Sequence, residues 1–379
     1  MRYNYDMSAA HGKCLYKEPY ARPWYERWFP LPESISPRGA GVDISDSSIK
    51  WLELAPAAHG HKVKAFAQAS LEGGVVVEGV VHDPQKLGDA IGKLRAEARG
   101  GYYVHAALPE ETAFVFTMNV VNVHDRIQVL RTIEFELEDH VPLKFEDVSY
   151  DYDVVKMHGD DTGAEISVSV FPKSVVEGYV SAFKYAGVRL LSLELEASSV
   201  ARSIMSSSSR EVALAVDFGR ARSGIVIFNC GVPIFTSTVA VGGDAMTKVI
   251  MDTLKVDERK AENIKNEEGI RRDGDKKVTE AVLGTASSLA DEIVRHYQYW
   301  DSRRDEHGNR VTPVSRVLLT GGSSNLKGLD EYIAGRVKAP TIHADVWRNV
   351  CSYDVYIPPI DVFYSLGLST AIGLALRGT

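Results

Sequence analysis

An aspartate and a glycine at the end of a strand form the stretch of this 379-residue chain with the clearest chemical potential. An apolar run over residues 212–216 leads into Asp217, Phe218 and Gly219, and a second apolar run begins at Ser223. These patterns predict a β-hairpin with an acid and a glycine at its turn. Glycine lets backbone N–H groups approach an anion, a hydroxyl adds a donor, and aspartate can hold Mg²⁺ through water. The stretch indicates a phosphate site, although Asp-x-Gly is also an ordinary turn signal.

A second copy of this arrangement lies earlier in the chain, about one domain length away. Residues 41–54 again contain a strand, an acid, a turn of small residues and a strand, with Asp43, Ser47, Ser48 and Lys50 around the turn. Two similar hairpins predict two half-sites that face one ligand.

Glycine pairs mark two further places where a ligand could approach the backbone. Gly242 and Gly243 open a predicted helix, and Gly321 and Gly322 separate a predicted strand over 314–320 from a predicted helix over 326–337. A glycine pair between strand and helix permits close approach of a flat or anionic ligand. Loops of this kind often carry glycines without binding anything.

The elements around these hairpins alternate between strands and helices, which predicts an α/β protein. Before residue 123 we predict six strands and one helix that begins at Asp83 and Pro84; the strands are 41–45, 49–54, 62–70, 75–81, 102–108 and 112–121. Helices over 127–140 and 172–186 and strands over 150–157, 165–171 and 188–195 predict a small α+β unit inserted in the first α/β domain. Residues 282–297 predict a long amphipathic helix, and 365–376 predict a small-residue helix that packs closely on another.

Composition bounds the class of protein. The chain is 45% hydrophobic and 25% charged, with a net charge of −8 and a pI near 5.8, which argues against nucleic acid as the main partner. No apolar run reaches the roughly 18 residues of a membrane span, and the N-terminus shows no signal-peptide pattern. Residues 1–38 combine prolines with aromatic residues and predict an irregular extension.

Together these motifs resemble those of the actin, Hsp70 and sugar-kinase superfamily. Within it the chain is identified as a member of the PilM family of type IV pilus assembly proteins, relatives of the cell-division protein FtsA. The matching segments lie between residues 40 and 376 and are 41–54, 134–152, Gly242-Gly243 with Thr247, Ala261-Glu262 with Lys265, Leu319 to Gly322, and 366–368.

The resemblance implies an actin-like, RNase H-like fold of two lobes with ATP and Mg²⁺ between them. It implies that Asp43 and Asp217 hold Mg²⁺ through water and that Ser47, Gly219 and Ser223 line the phosphates. It also implies that Glu262 and Lys265 reach the ribose and the base. It places Gly321, Gly322 and Ser323 beside the adenosine; Ser48, Lys50, Gly242 and Gly243 complete the predicted site. Glu196 could orient an attacking water or serve only as a cap or ion-pair partner.

The implied domains are an extension over 1–38, a first lobe over 39–122 and 191–208, an insertion over 123–190 and a second lobe over 209–379. The implied partner is the short cytoplasmic N-terminal peptide of a PilN-like membrane protein, gripped in a groove that involves the insertion. Other pilus platform proteins and self-association are further expected contacts. The protein would then be cytoplasmic and reach the inner membrane only through its partner.

Three departures from the family pattern stand out. Ser45 occupies a position where many relatives have glycine, and Ala197 replaces a common proline. Arg220 and Arg222 are unusual charges beside a phosphate turn. They could add affinity for an anion or point to solvent, and we expect both to point to solvent.

Two alternative functions stay open at this stage. One is an FtsA-like cytoskeletal protein, which would usually end with an amphipathic membrane helix. The other is a sugar or acetate kinase, for which the sequence offers no convincing general base. We expect at most slow hydrolysis of ATP.

Overall fold

The computed structural model describes residues 38–158, 162–270, 274–304, 308 and 310–377. The predicted extension lies outside these residues except for Arg38. The described strands are β1 (Ala40–Ile44), β2 (Ser48–Pro56), β3 (His61–Ser70), β4 (Val76–Val77), β5 (Val80–Val81), β6 (Tyr103–Leu108), β7 (Phe114–Val120), β8 (Val148–Met157), β9 (Ala164–Pro172), β10 (Arg189–Leu195), β11 (Val212–Phe218), β12 (Ser223–Asn229), β13 (Val232–Val239), β14 (Val314–Thr320) and β15 (Thr341–His343). The described α-helices are α1 (Pro84–Ala98), α2 (Arg126–His140), α3 (Lys173–Tyr185), α4 (Glu196–Ile204), α5 (Gly243–Leu254), α6 (Glu258–Glu268), α7 (Lys276–Ser302), α8 (Leu329–Val337), α9 (Val362–Ser365) and α10 (Ser369–Ala375).

Two five-stranded sheets have the same topology. The first has the order β10-β6-β1-β2-β3 and the second the order β13-β12-β11-β14-β15. In each, three consecutive strands pair antiparallel, and the first of them also pairs parallel with a later strand. We call the units built on these sheets the first lobe and the second lobe. The repeated order confirms the predicted two-lobed α/β architecture and places the hairpins of Asp43 and Asp217 at equivalent positions.

The two lobes share one buried core through helices α4 and α10. Ala213 and Ala215 of β11 pack in the same apolar cluster as Ala197 of α4 and Ala371 of α10. The opposite face of β11 packs in a second cluster, which contains side chains of α7. Because both faces of β11 are buried, its sequence is a continuous apolar run and does not alternate. The predicted close packing of the C-terminal small-residue segment is confirmed.

The inserted unit is a three-stranded sheet, β7-β9-β8, covered by α2. Val129, Ile133 and Leu137 of α2 pack on this sheet in a third cluster. The strand pairing and core packing place both ends of this unit earlier in the chain than the predicted boundaries of 123 and 190. Strand β7 pairs with β9, whereas α3 packs in the first cluster and β10 joins the first sheet.

Several predicted elements have different bounds in the structure. The predicted strand over 75–81 is two short strands, because Glu78 and Gly79 adopt positive φ angles of 50° and 74° and reverse the chain. The helix predicted from 326 begins at Leu329, after a 3₁₀ turn over Gly322–Asn325. The helix predicted over 365–376 is divided into α9, a 3₁₀ turn and α10. By contrast, α1 begins as predicted, with the Asp83 carboxylate accepting the Lys86 N–H at 3.0 Å.

No helix in the part of the chain that the structure describes is both long and apolar enough to cross a bilayer.

Candidate functional site

The first hairpin holds an acid and a base opposite each other. Asp43 on β1 faces Lys50 on β2, and the Lys50 ammonium donates to the Asp43 carboxylate at 2.8 Å. Asp43 is almost completely buried. Burial lowers the pKa of Lys50, but the carboxylates of Asp43, Asp217 and Glu196 more than offset that effect, so its pKa is raised overall. Lys50 is therefore a firmly charged cation among several acids.

The second hairpin presents Asp217 at the position equivalent to Asp43. Asp217 faces Gly224 across the β11–β12 pair, so no lysine accompanies it. Burial raises the pKa of Asp217 to about 6, with Lys50 lowering it and Asp43 raising it. A Cβ at Gly321, whose φ is +89°, would lie 2.4 Å from the Asp217 carboxylate. Glycine at 321 thus lets the backbone after β14 lie directly against the acid.

Two glutamates extend this acidic group. Glu196, at the start of α4, accepts a hydrogen bond from the Thr370 hydroxyl at 3.0 Å. Burial and the neighbouring Glu110, Asp43 and Asp217 raise its pKa well above the ordinary value. Burial, together with the neighbouring Glu111, raises the pKa of Glu110 to about 8, and Glu110 and Glu196 influence each other's charge. The pair therefore holds a proton near neutral pH. That proton removes one negative charge from the region between the two lobes around Asp43 and Asp217, which we call the cleft.

Glu110 shows no motif in the sequence, and sequence reasoning missed it. It follows β6, a strand that pairs in parallel with β1 and β10. Residues after the carboxyl ends of parallel strands often line a site, and the run Pro109-Glu110-Glu111 was the available signal.

A second group of predicted residues meets at the other end of the cleft, on α5 and α6. A Cβ at Gly243 would lie 2.2 Å from the Ser323 hydroxyl and 3.4 Å from the Lys265 ammonium. The buried Lys265 donates to the Thr247 hydroxyl at 2.8 Å, and Glu262, whose side chain is 44% exposed, lies 3.9 Å from it. Burial lowers the pKa of Lys265.

The glycine pairs differ in their surroundings. A Cβ at Gly242 would lie 2.3 Å from the Arg220 carbonyl oxygen, so this glycine lets the helix start pack on the second hairpin. A Cβ at Gly322 would meet nothing within 4 Å. Gly322 is thus the exposed member of the second pair and leaves open space at this end of the cleft.

Two of the predicted phosphate hydroxyls, those of Ser48 and Ser223, already have hydrogen-bond partners in the protein. Ser223 is completely buried and donates to the Val241 carbonyl at 2.6 Å. Ser48 closes the first turn through hydrogen bonds with Ser45, and Gly219 uses its N–H within its own turn. Ser47 is partly exposed in the first turn. The structure therefore brings the acids, Lys50 and the glycines together, whereas Ser48 closes the first turn and Ser223 holds the segment that follows β13.

The expectation that Arg220 and Arg222 point to solvent holds for Arg220, whose side chain is 51% exposed, and is wrong for Arg222. Arg220 is half-exposed and forms ion pairs with Asp244 at 2.8 Å and Glu258 at 2.6 Å, both in the second lobe. Arg222 extends into the first lobe, where it contacts Asp46 and Glu111. Each guanidinium has acidic partners, which sequence inspection missed because those partners are distant in the chain.

The acids do not form a preformed metal cage. In the described residues no three His, Cys, Asp or Glu side chains are arranged to hold an ion together. Mg²⁺ is commonly bound by one or two carboxylates together with phosphates of a substrate. Asp43 and Asp217 at the two hairpins fit that donor set.

Comparison with solved structures finds proteins of the same fold. The chain of a PilM-PilN type IV pilus biogenesis complex superposes with a TM-score of 0.74 at 20% identity, over 90% of this chain and 99% of that one. The ethanolamine utilization protein EutJ from Carboxydothermus hydrogenoformans superposes with a TM-score of 0.53 at 16% identity, over 92% and 91%.

The repeated sheets and the helices shared by the two lobes define an actin-like fold. The family model described as type IV pilus assembly protein PilM matches residues 41–379. The chain belongs to this family.

Proposed function

We propose that this protein binds ATP with Mg²⁺ in the cleft and, in the same molecule, holds the cytoplasmic N-terminal peptide of a PilN-like membrane protein. The observation that carries the nucleotide part is the pair of equivalent acids, Asp43 and Asp217, with Lys50 between the two lobes. Asp43 and Asp217 would hold the metal, and Lys50 would meet the phosphates. Gly321, Gly322 and Ser323, with Glu262 and Lys265, would border the nucleoside.

A bound Mg²⁺ would neutralise charge on the phosphates and on the two aspartates. ATP would need Mg²⁺ to bind, because the cleft contains more carboxylates than cations and would repel ATP that carries no metal ion.

The nucleotide proposal is tested by calorimetric titration of MgATP into the full chain. Wild-type protein is expected to bind, and Asp217→Ala is expected to lose binding while its far-UV circular dichroism stays unchanged. Equal affinity of the two proteins would contradict the assigned site. Binding accompanied by phosphorylation of a sugar or carboxylic acid would favour the kinase alternative.

The partner proposal rests on the charge of the insertion. Residues 123–172 contain twelve Asp and Glu against four Lys and Arg, so this segment accounts for the whole net charge of −8. On α2 the acids Glu134, Glu138 and Asp139 are exposed beside Phe135, whose side chain is 87% exposed. Cytoplasmic segments next to membrane helices are rich in Lys and Arg. An acidic surface with exposed aromatic area is complementary to such a peptide.

The insertion also contacts the second lobe, which offers a route between the two sites. Val155 lies at a β-bulge of β8 and packs in the apolar core of the second lobe. The Ser167 hydroxyl of β9 donates to the Pro233 carbonyl of β13 at 2.5 Å. Strand β13 belongs to the sheet that carries Asp217. A nucleotide that favours one arrangement of the lobes would then change the groove offered to the peptide.

The partner proposal is tested with a synthetic peptide of the N-terminal cytoplasmic residues of a PilN-like protein from the same organism. The triple variant E134Q/E138Q/D139N is expected to bind this peptide at least about tenfold more weakly. A matched control, E97Q/E280Q/E331Q, removes three exposed acids outside the insertion and is expected to keep wild-type affinity. Equal weakening by both variants would mean that general charge, and not this surface, governs binding.

A further inference from the structure

One guanidinium of the second lobe contacts two carboxylates of the first. Arg222 is the last residue before β12, and its Nη1 donates to the Glu111 carboxylate at 2.7 Å while its Nη2 pairs with Asp46. The Arg222 and Asp46 side chains are each 25% exposed. The contact is therefore a partly buried, two-carboxylate ion pair across the cleft. Such a pair is stronger than an exposed one, because solvent screens it less.

On the first lobe, Asp46 ties the contact to a further turn. It lies between β1 and β2, and its carboxylate also accepts the N–H groups of Glu78 at 3.0 Å and Gly79 at 3.2 Å. Glu111 lies in the 3₁₀ turn that follows β6. Arg222 thus joins the second hairpin to three separate turns of the first lobe.

The chemistry of this contact bears on phosphate binding. Asp46 places a carboxylate in the first turn, where it repels an approaching anion. Arg222 neutralises Asp46 and is also a donor that suits the oxygens of a phosphate. Both residues belong to the two hairpins that contain Asp43 and Asp217.

We propose that Arg222 is a ligand of the terminal phosphate of a nucleoside triphosphate and that Asp46 and Glu111 hold its guanidinium while no nucleotide is bound. The inference rests on the proposed binding of ATP in this cleft. A phosphate that takes over the guanidinium weakens the contact to Asp46 and Glu111. The ion pair between the lobes then depends on whether a terminal phosphate is present.

The ligand class follows from this exchange. ADP lacks the terminal phosphate that would bind Arg222. Arg222 therefore strengthens the binding of ATP and not the binding of ADP. Asp46 opposes that preference, since it competes for the same donor.

The test compares MgATP and MgADP affinities by calorimetry on three variants of the full chain. Arg222→Gln is expected to weaken ATP binding by about tenfold or more and ADP binding by less than about threefold. Asp46→Asn removes the competing carboxylate and is expected to tighten ATP binding. Arg220→Gln removes a neighbouring arginine whose partners lie in its own lobe, and it is expected to leave the ATP-to-ADP affinity ratio unchanged.

The outcomes separate this inference from the proposed function. If wild-type protein binds ATP and Arg222→Gln keeps the same ATP-to-ADP ratio, the role of Arg222 is overturned and nucleotide binding stands. If Asp46→Asn weakens ATP binding, the competition is overturned even where Arg222→Gln does not fold. If wild-type protein binds neither nucleotide, the proposed function fails, and the inference that rests on it fails with it.

Discussion

Gly373 of α10 lies directly against the carbonyl oxygen of Ser199 in α4. A Cβ at Gly373 would come within 1.7 Å of that oxygen, so the two helices cross with their backbones in contact. Gly41 of β1 meets α10 in the same way, since its Cβ would lie 2.0 Å from the Ala371 carbonyl oxygen. The helices shared by both lobes are therefore packed at a spacing that only glycine allows.

Gly373→Ala is expected to destabilise the protein by about 1–3 kcal/mol, because the added methyl group must separate α4 from α10. The measurement is chemical unfolding followed by circular dichroism. Gly284→Ala on α7 is the matched control, since a Cβ there meets nothing within 4 Å and alanine favours a helix. A Gly373 variant as stable as the Gly284 variant would contradict the observed crossing.

Removal of divalent metal is expected to weaken ATP binding by about 100-fold or more, because free ATP then meets the carboxylates of Asp43 and Asp217 with no metal ion to neutralise them. Calorimetric titration with and without EDTA measures the effect. Asp217→Asn removes one repelling charge, so the difference between the two conditions should shrink in that variant. Equal ATP affinity with and without metal in wild-type protein would argue against a metal at these acids.

Stability is expected to depend on pH through Glu110. Burial raises its pKa from an ordinary 4.5 to about 8, so the folded protein holds a proton that the unfolded chain releases. The unfolding free energy therefore falls as the pH rises from about 4.5 to about 8. Glu110→Gln mimics the protonated acid, and its Tm relative to wild type should be higher at pH 8.5 than at pH 5 by about 2 °C or more. The exposed Glu97→Gln is the control, and a Tm difference that does not vary with pH would contradict the raised pKa.

Val155→Ala is expected to weaken the proposed coupling between peptide binding and nucleotide binding, because Val155 packs in the core of the second lobe from a strand of the insertion. The readout is the ratio of peptide affinities with and without MgATP, which should move toward one. Val282→Ala on α7 removes the same methyl groups from the same core and serves as the control for general destabilisation. If both variants change the ratio equally, the insertion contact is not the route of coupling.

Local patterns predicted the elements of this protein well. The strand over 314–320 and the start of α1 at Asp83 and Pro84 lie where apolar runs and capping residues predicted them. Assignments that depended on packing were weaker. Strand β7 and helix α3 were placed in the wrong units, because a short apolar run shows that a segment is buried but not which neighbour covers it.

The candidate site divides in the same manner. Asp43, Asp217 and the glycine pairs were found from the sequence, since turns require particular residues at particular places. The sequence alone did not determine that Ser223 bonds Val241, that Glu110 and Glu196 are electrostatic neighbours, or that Arg222 reaches Asp46. Arg222 and Asp46 are 176 residues apart in the chain. The sequence by itself determined two hairpins and the acids on them, because short-range sterics and hydrophobic period act locally. Only the tertiary structure decided which charges face each other, because the packing of the two lobes brings distant side chains together.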